Sequence, residues 1–333
     1  MRMWPFVGFG KIGERLELSE AAHRKIARVP WVVTEKVHGA NLCWLTDGAE
    51  IVAAKRKAIL DETEDFFGHR ALRERSAGAI GRVFAGVRQN DAEAEVVSIY
   101  GEICGGSYPH PDVAPVVGVE AVQTGVYYSP QIEFCAFDIA VFAAGETRFL
   151  DYDVAGELLE RAGMLFARPL FVGRYEDAVA FPLGFESRVP AQLGLPAIAG
   201  NRAEGIVVKT QASLVVDGAR PIVKRKIAEF AEDERFHQAQ KRTRRPESGL
   251  REELRALLNE PRLRNAESKI GRVRRDDEAR RAELTGELVA DVRAELVARH
   301  GDAWRALASD EKRALEAELE RAAAALVSRS LSR

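Results

Sequence analysis

The feature that most limits how this chain can fold is a change of texture near Phe230. From Trp31 to about that point, short apolar runs are punctuated by Gly, Pro and Asp, whereas beyond it Ala, Leu, Glu and Arg recur at helical spacing. Strand-length runs that are not separated by regular helices favour antiparallel pairing over a doubly wound parallel sheet. The runs Val96 to Tyr100, Ile132 to Val141, Gly205 to Val208 and Pro221 to Ile227 read as strands, with helical patches at Ala71 to Arg88 and Val154 to Ala162. The expected architecture is therefore α+β: an antiparallel-sheet domain over residues 1–235, then a small all-helical domain over residues 236–333 in which Pro246 and Pro261 act as breakers.

A chain of 333 residues, 46% of them hydrophobic, has enough apolar side chain for two packed cores. Its formal charge of −2 gives no global signature for nucleic acid, so a polyanion has to be met by a local patch. Two local clusters exist, Lys241-Arg242-x-Arg244-Arg245 and Arg272-x-Arg274-Arg275. Each is followed by carboxylates that dilute its field, and each reads equally as phosphate contacts or as solvated surface. The three cysteines, Cys43, Cys104 and Cys135, lack zinc-type spacing and are expected as free thiols of a reducing compartment. No apolar run reaches the length of a membrane helix, so cytoplasmic residence is the expectation.

Chemistry concentrates in Glu35-Lys36-Val37-His38-Gly39-Ala40-Asn41, where a lysine follows the strand run Trp31 to Val33 and enters a glycine turn. Such an amine is placed to attack a phosphate, but only when neutral, which calls for desolvation or nearby positive charge to lower its pKa. Lys224 and Lys226, two apart, would project from one face of a strand and supply that charge together with a divalent metal. Gly8-x-Gly10-x-x-Gly13 fits the dinucleotide-binding spacing, yet only seven residues precede it and no acid stands at the ribose-binding distance. It is read as a loop.

Lys36-x-His38-Gly39-x-Asn41 resembles the nucleotidyl-acceptor motif of the RNA ligase 2 family of ATP-dependent RNA ligases, within the covalent nucleotidyltransferases. Further matches follow in that family's order: Ala54-Lys55-Arg56, Glu64-Asp65-Phe66-Phe67-Gly68, Tyr100-Gly101-Glu102, Phe134 to Ile139, Glu204-Gly205-Ile206-Val207-Val208-Lys209 and Val223-Lys224-Arg225-Lys226. Glu267-Ser268-Lys269-Ile270-Gly271 extends the resemblance into the tail. Ordered spacing of this kind is far harder to reach by accident than any single pattern.

The resemblance implies an antiparallel nucleotidyltransferase domain of ATP-grasp-like character, and a reaction in which Lys36 takes AMP from ATP. It implies Lys224 and Lys226 on the phosphates, His38 in phosphate handling, and Glu204 and Asp138 as carboxylates for Mg2+ or Mn2+. It implies Phe137 stacked on adenine, Glu35 in adenine recognition, Asn41 and Glu102 on the sugar, and Arg56 on the ribose and the incoming phosphate. Lys55 and Lys209 follow as outer phosphate contacts. The implied partner is RNA, a nicked duplex with 3′-hydroxyl and 5′-phosphate ends, with no membrane and no obligate protein partner. A DNA ligase or capping-type nucleotidyltransferase is the nearest alternative, though those usually carry a β-barrel after the second lysine motif. A noncatalytic nucleotide- or RNA-binding module is the other.

Overall fold

The computed structural model describes residues 3–332 except 17, 62, 63, 65, 231–245 and 308. Two compact units emerge, Met1–Phe230 and Ala231–Arg333, dividing five residues before the expected boundary. The first is the expected α+β unit, built on two antiparallel sheets.

One sheet has four strands in the order β10 (Ile222–Lys226), β9 (Gly205–Thr210), β1 (Trp31–Glu35) and β8 (Pro169–Gly173). β1, Trp-Val-Val-Thr-Glu, is buried along its whole length, which suits β-branched and aromatic side chains in a central strand. Its Trp31 and Val33 pack with Ile26 of α1 (Glu20–Ile26) and Ile206, Val208 and Val223 of the neighbouring strands.

The other sheet has six strands: β4 (Ala58–Ile59), β3 (Ile51–Lys55), β2 (Ala40–Thr46), β5 (Val96–Ser107), β6 (Ser129–Ala143) and β7 (Glu146–Phe149). Alternation along β2 sends Leu42 and Trp44 to a core shared with α2 (His69–Asn90) and α3 (Tyr152–Arg161). Cys43 and Leu45 take the opposite face, where Tyr100, Phe9 and Phe137 pack. Burying each such large side chain contributes roughly 1.5–3 kcal/mol.

β5 and β6 are several residues longer than their apolar runs, because glycines at 101, 105 and 106 continue the β5 pairing instead of ending it. Between Tyr100↔Asp138 and Gly101↔Ala136 the ladder slips by one residue, leaving Phe137 as a bulge. All three cysteines are buried free thiols, as expected.

The described part of the second unit is helical: α4 (Pro246–Leu257), α5 (Glu260–Ile270), α6 (Glu278–Ala306, kinked at His300) and α7 (Ser309–Ser330), closed around Leu254, Leu263, Leu288, Val292 and Leu319. Pro246 and Pro261 start helices here rather than break them, since a proline in the first turn forgoes an amide hydrogen bond that a helix start cannot make. Buried Arg262 is held by Asp291 at 2.6 Å. Among the described residues no helix is long and apolar enough to cross a membrane.

Candidate active site

Lys36 lies at the handover from the four-stranded to the six-stranded sheet, in the four-residue link between β1 and β2. Its backbone N–H donates to the Gly205 carbonyl at 2.9 Å, and the link turns tightly enough that a Cβ on Gly39 would overlap the Ile103 carbonyl oxygen. Both contacts fix where the amine emerges.

Around that amine each sheet contributes both a carboxylate and a cation. Glu204, buried at the entrance of β9, accepts from Lys36 Nζ at 2.6 Å on Oε2 and from Lys226 Nζ at 2.9 Å on Oε1. His38 Nδ1 stands 3.3 Å from the same Oε2, with the His38 ring set edge-on to Phe230 and its backbone N–H donating to the Tyr128 hydroxyl at 2.8 Å. Lys224 and Lys226 share a face of β10, opposite Val207 and Gly205 of β9. From the six-stranded sheet come Asn41 and Glu102, directly opposite each other across β2 and β5, and Arg56, whose Nε donates to the Phe9 carbonyl at 3.2 Å.

The electrostatics differ from the expectation that Lys36 is depressed. Enclosure opposes its charge most strongly, but Glu204 and then Glu102 outweigh that and raise its pKa. The carboxylates that meet Lys36 arrive from distant strands, so their effect on the amine does not show in its local sequence. Burial likewise opposes the Glu204 carboxylate, yet Lys36, His38 and Lys226 hold its pKa well below the usual range. Glu102, with burial dominant over Lys36, is pushed up to about 7. In this arrangement Lys36 is an ammonium clamped by a carboxylate.

Four expected residues pair elsewhere. Asp138 of the six-stranded sheet has both oxygens engaged, by Lys209 Nζ of β9 at 2.8 Å and by Arg220 on Oδ1 and Oδ2 at 3.2 Å each. Burial opposes its charge, but Lys209 and Arg220 lower its pKa, so it is a buried anion held by two cations. Lys209 correspondingly ends on Asp138 and the Phe137 carbonyl, 2.7 Å away, rather than on a phosphate. Glu35 turns its buried carboxylate to the Ser187 hydroxyl at 2.6 Å and the Arg188 backbone N–H at 2.8 Å, so the side chain anchors a loop; burial raises its pKa. Lys55 pairs with Glu64 at 2.9 Å.

Phe137, at the bulge, is partly buried between the ring of Phe9 and the cluster around Val37 and Tyr128. Tyr128, Ser187 and Arg220 belong to none of the motifs, and nothing in their local sequence marks them. Arg274 is exposed and pairs with Asp276 at 3.1 Å. Asp65 and the cluster from Lys241 to Arg245 lie outside the described residues.

The site suits a hard divalent cation held by one carboxylate with the remaining positions left to phosphates and water. Glu204, whose charge raises the pKa of Glu102, would supply such a donor; among the described residues no group of three or more His, Cys, Asp or Glu forms a full cage.

The profile of the family described as RNA ligase matches residues 29–226, more than half of the chain, and that described as T4 RNA ligase 2 C-terminal matches residues 241–325. The mitochondrial RNA-editing ligase 2 of Trypanosoma brucei brucei is 34% identical over 236 residues, covering 61% of this chain and 56% of the relative. RNA-editing ligase 1 of the same organism is 32% identical over 213 residues, covering 55% and 45%. The chain thus spans about half the length of the curated relatives it matches. Among solved structures, a Naegleria gruberi RNA ligase variant with ATP and Mn superposes at a TM-score of 0.45 with 14% identity, over 70% of this chain and 59% of that one. An archaeal ATP-dependent RNA ligase superposes at 0.40 with 18% identity, over 97% and 64%. On the profile matches and the sequence relatives, with every motif in order around Lys36, this chain belongs to the RNA ligase family, of the RNA ligase 2 kind.

Proposed function

We propose that this protein is an ATP-dependent RNA ligase that seals 3′-hydroxyl and 5′-phosphate ends, in particular at a nick in an RNA-containing duplex. One observation carries the reading: the amine of Lys36 meets Glu204, which Lys226 and His38 also hold, beside the Asn41 and Glu102 pair. That set has a nucleophile, cations for phosphoryl oxygens and polar groups for a sugar, which is what positioning and charge stabilisation of a phosphoryl transfer require.

In the first step the neutral Lys36 Nζ attacks the α-phosphorus of ATP. A P–N bond forms, the bond to the bridging oxygen breaks, pyrophosphate leaves and the amine loses its proton. AMP then passes to the 5′-phosphate of the nick, and the 3′-hydroxyl displaces AMP as the phosphodiester forms. Glu204 would hold Mg2+ or Mn2+, which would supply neutralisation of the triphosphate. As Glu204 turns from Lys36, the enclosure and Arg56 that oppose the ammonium are offset by Glu102 alone among the named carboxylates, and the proton leaves more readily. Lys224 and Lys226 stay on one face for the phosphates. A duplex would be held by its A-form shape and its phosphates rather than by base identity.

Incubation with α-labelled ATP and metal tests this. Wild-type protein becomes covalently labelled through an acid-labile bond, while Lys36→Ala does not; Lys36→Arg also fails, because a guanidinium keeps its proton. Label persisting on either variant places the acceptor elsewhere. Nicked duplexes with RNA or DNA on each side of the break then separate RNA ligation from DNA ligation, and labelling from GTP in place of ATP would mark a capping-type enzyme.

A further inference from the structure

The glycine-rich segment near the start of the chain has no part in the motifs, yet several of its contacts lead to them. The Val7 carbonyl accepts from the Tyr100 hydroxyl at 2.6 Å, the Phe9 carbonyl from Arg56 Nε at 3.2 Å, and the Gly13 carbonyl from the Lys224 backbone N–H at 2.9 Å. The segment therefore runs from the six-stranded sheet to β10 of the four-stranded one. The Phe9 ring meets Phe137 edge-on at 5.0 Å and Tyr100 at 5.4 Å. Gly8 lies against the turn after β3, where a Cβ would stand 2.7 Å from the Arg56 carbonyl oxygen; a Cβ on Gly10 would meet nothing within 4 Å.

We propose that Val7 to Gly13 is a positioning strap for the nucleotide site, in which Phe9 sets both the ring of Phe137 and the guanidinium of Arg56; this rests on the adenylyl-transfer reading above. The two side chains need setting for different reasons. Phe137 occupies a bulge, where the ladder does not fix the aim of its side chain, so an edge-on neighbour does. Arg56 ends a long flexible stem, and an acceptor on Nε fixes the plane of its fork. Preorganising both lowers the cost of binding the nucleotide without altering the bond-making step. The strap's backbone also fixes the strand that carries Lys224, so the cations of the far sheet stay in register with the base platform of the near one.

Equilibrium binding of ATP to the full chain, alongside single-turnover labelling of Lys36, tests the strap. Gly8→Ala, which pushes the loop off Arg56, and Phe9→Ala, which removes the ring, should each weaken ATP binding by about three- to tenfold, the range an edge-on ring contact commands. Their labelling rate at saturating ATP should stay within about twofold, because uniform binding is lost and not transition-state binding. Phe9→Tyr, which keeps the ring, and Gly10→Ala, whose new methyl meets only open space, should bind like wild type. Unchanged ATP binding in both Gly8→Ala and Phe9→Ala overturns the proposal, as does an equal loss in Gly10→Ala or a loss confined to the saturated rate. Wild-type protein that binds ATP but never labels ends the adenylyl-transfer reading instead, and the strap is then judged on the binding series alone.

Discussion

Glu204→Gln is expected to lower the single-turnover rate of Lys36 labelling at neutral pH by about a hundredfold or more, the scale on which loss of one preorganised charge-stabilising group acts. Two effects oppose each other in this variant. Glu204 is the strongest of the influences that raise the Lys36 pKa, so its loss leaves the enclosure and Arg56, which lower it, less opposed, with Glu102 the main remaining influence that raises it. The amine is then more often neutral. If clamping Lys36 were all that Glu204 did, labelling would become faster. The expected fall comes from the metal and triphosphate, which lose their carboxylate at the same time. The pH profile separates the two effects. In wild type a raised Lys36 pKa means that the neutral amine, and with it the rate, grows as pH rises toward that pKa; in Glu204→Gln the same rise moves to lower pH while the plateau drops. A neutral-pH rate at or above that of wild type would leave Glu204 as a clamp alone and remove it from metal binding.

The parts of this site that could be read in the sequence are those set by short spacing. Lys224 and Lys226 share a face because a strand repeats every two residues, and Glu204 opens β9 because the apolar run after it is continuous. The sign of the Lys36 shift could not be read that way. It depends on Glu102 and Glu204 approaching from two sheets, 66 and 168 residues along the chain, and only the paired folds of β2 with β5 and β1 with β9 bring them to one amine. Arg220 was invisible for the same reason, standing 82 residues from Asp138 and outside every motif. β5 runs on past its apolar run because Gly101 continues the strand instead of ending it, at a point where the Phe134 ring crowds it too closely for a Cβ.

Asp138→Asn is expected to destabilise the 230-residue first unit by about 3 kcal/mol, the lower end of the cost of breaking a buried ion pair, because the amide oxygen keeps one hydrogen bond. For a unit of this size that is a fall of about 6–12 °C in Tm. The physical cause is the charge left behind: Asp138 and Lys209 are almost fully buried, and Arg220, which also lies 3.9 Å above the Phe149 ring, has only this carboxylate among its ion pairs in the described residues. Lys209→Met should cost less, since Arg220 still holds both oxygens of Asp138. The pH dependence has a definite sign. The native pKa of Asp138 lies below its ordinary value near 4, so the stabilisation is fully present above that value and is lost as pH falls through the native pKa. The gap in denaturation midpoint between wild type and Asp138→Asn should therefore be constant from neutral pH down to about 4 and close below it. This outcome separates a brace joining the two sheets beneath Phe137 from a metal ligand. An Asp138→Asn protein that kept the wild-type midpoint but needed far more Mg2+ or Mn2+ for labelling would return Asp138 to the metal, and would mean that Lys209 and Arg220 leave it when the nucleotide binds.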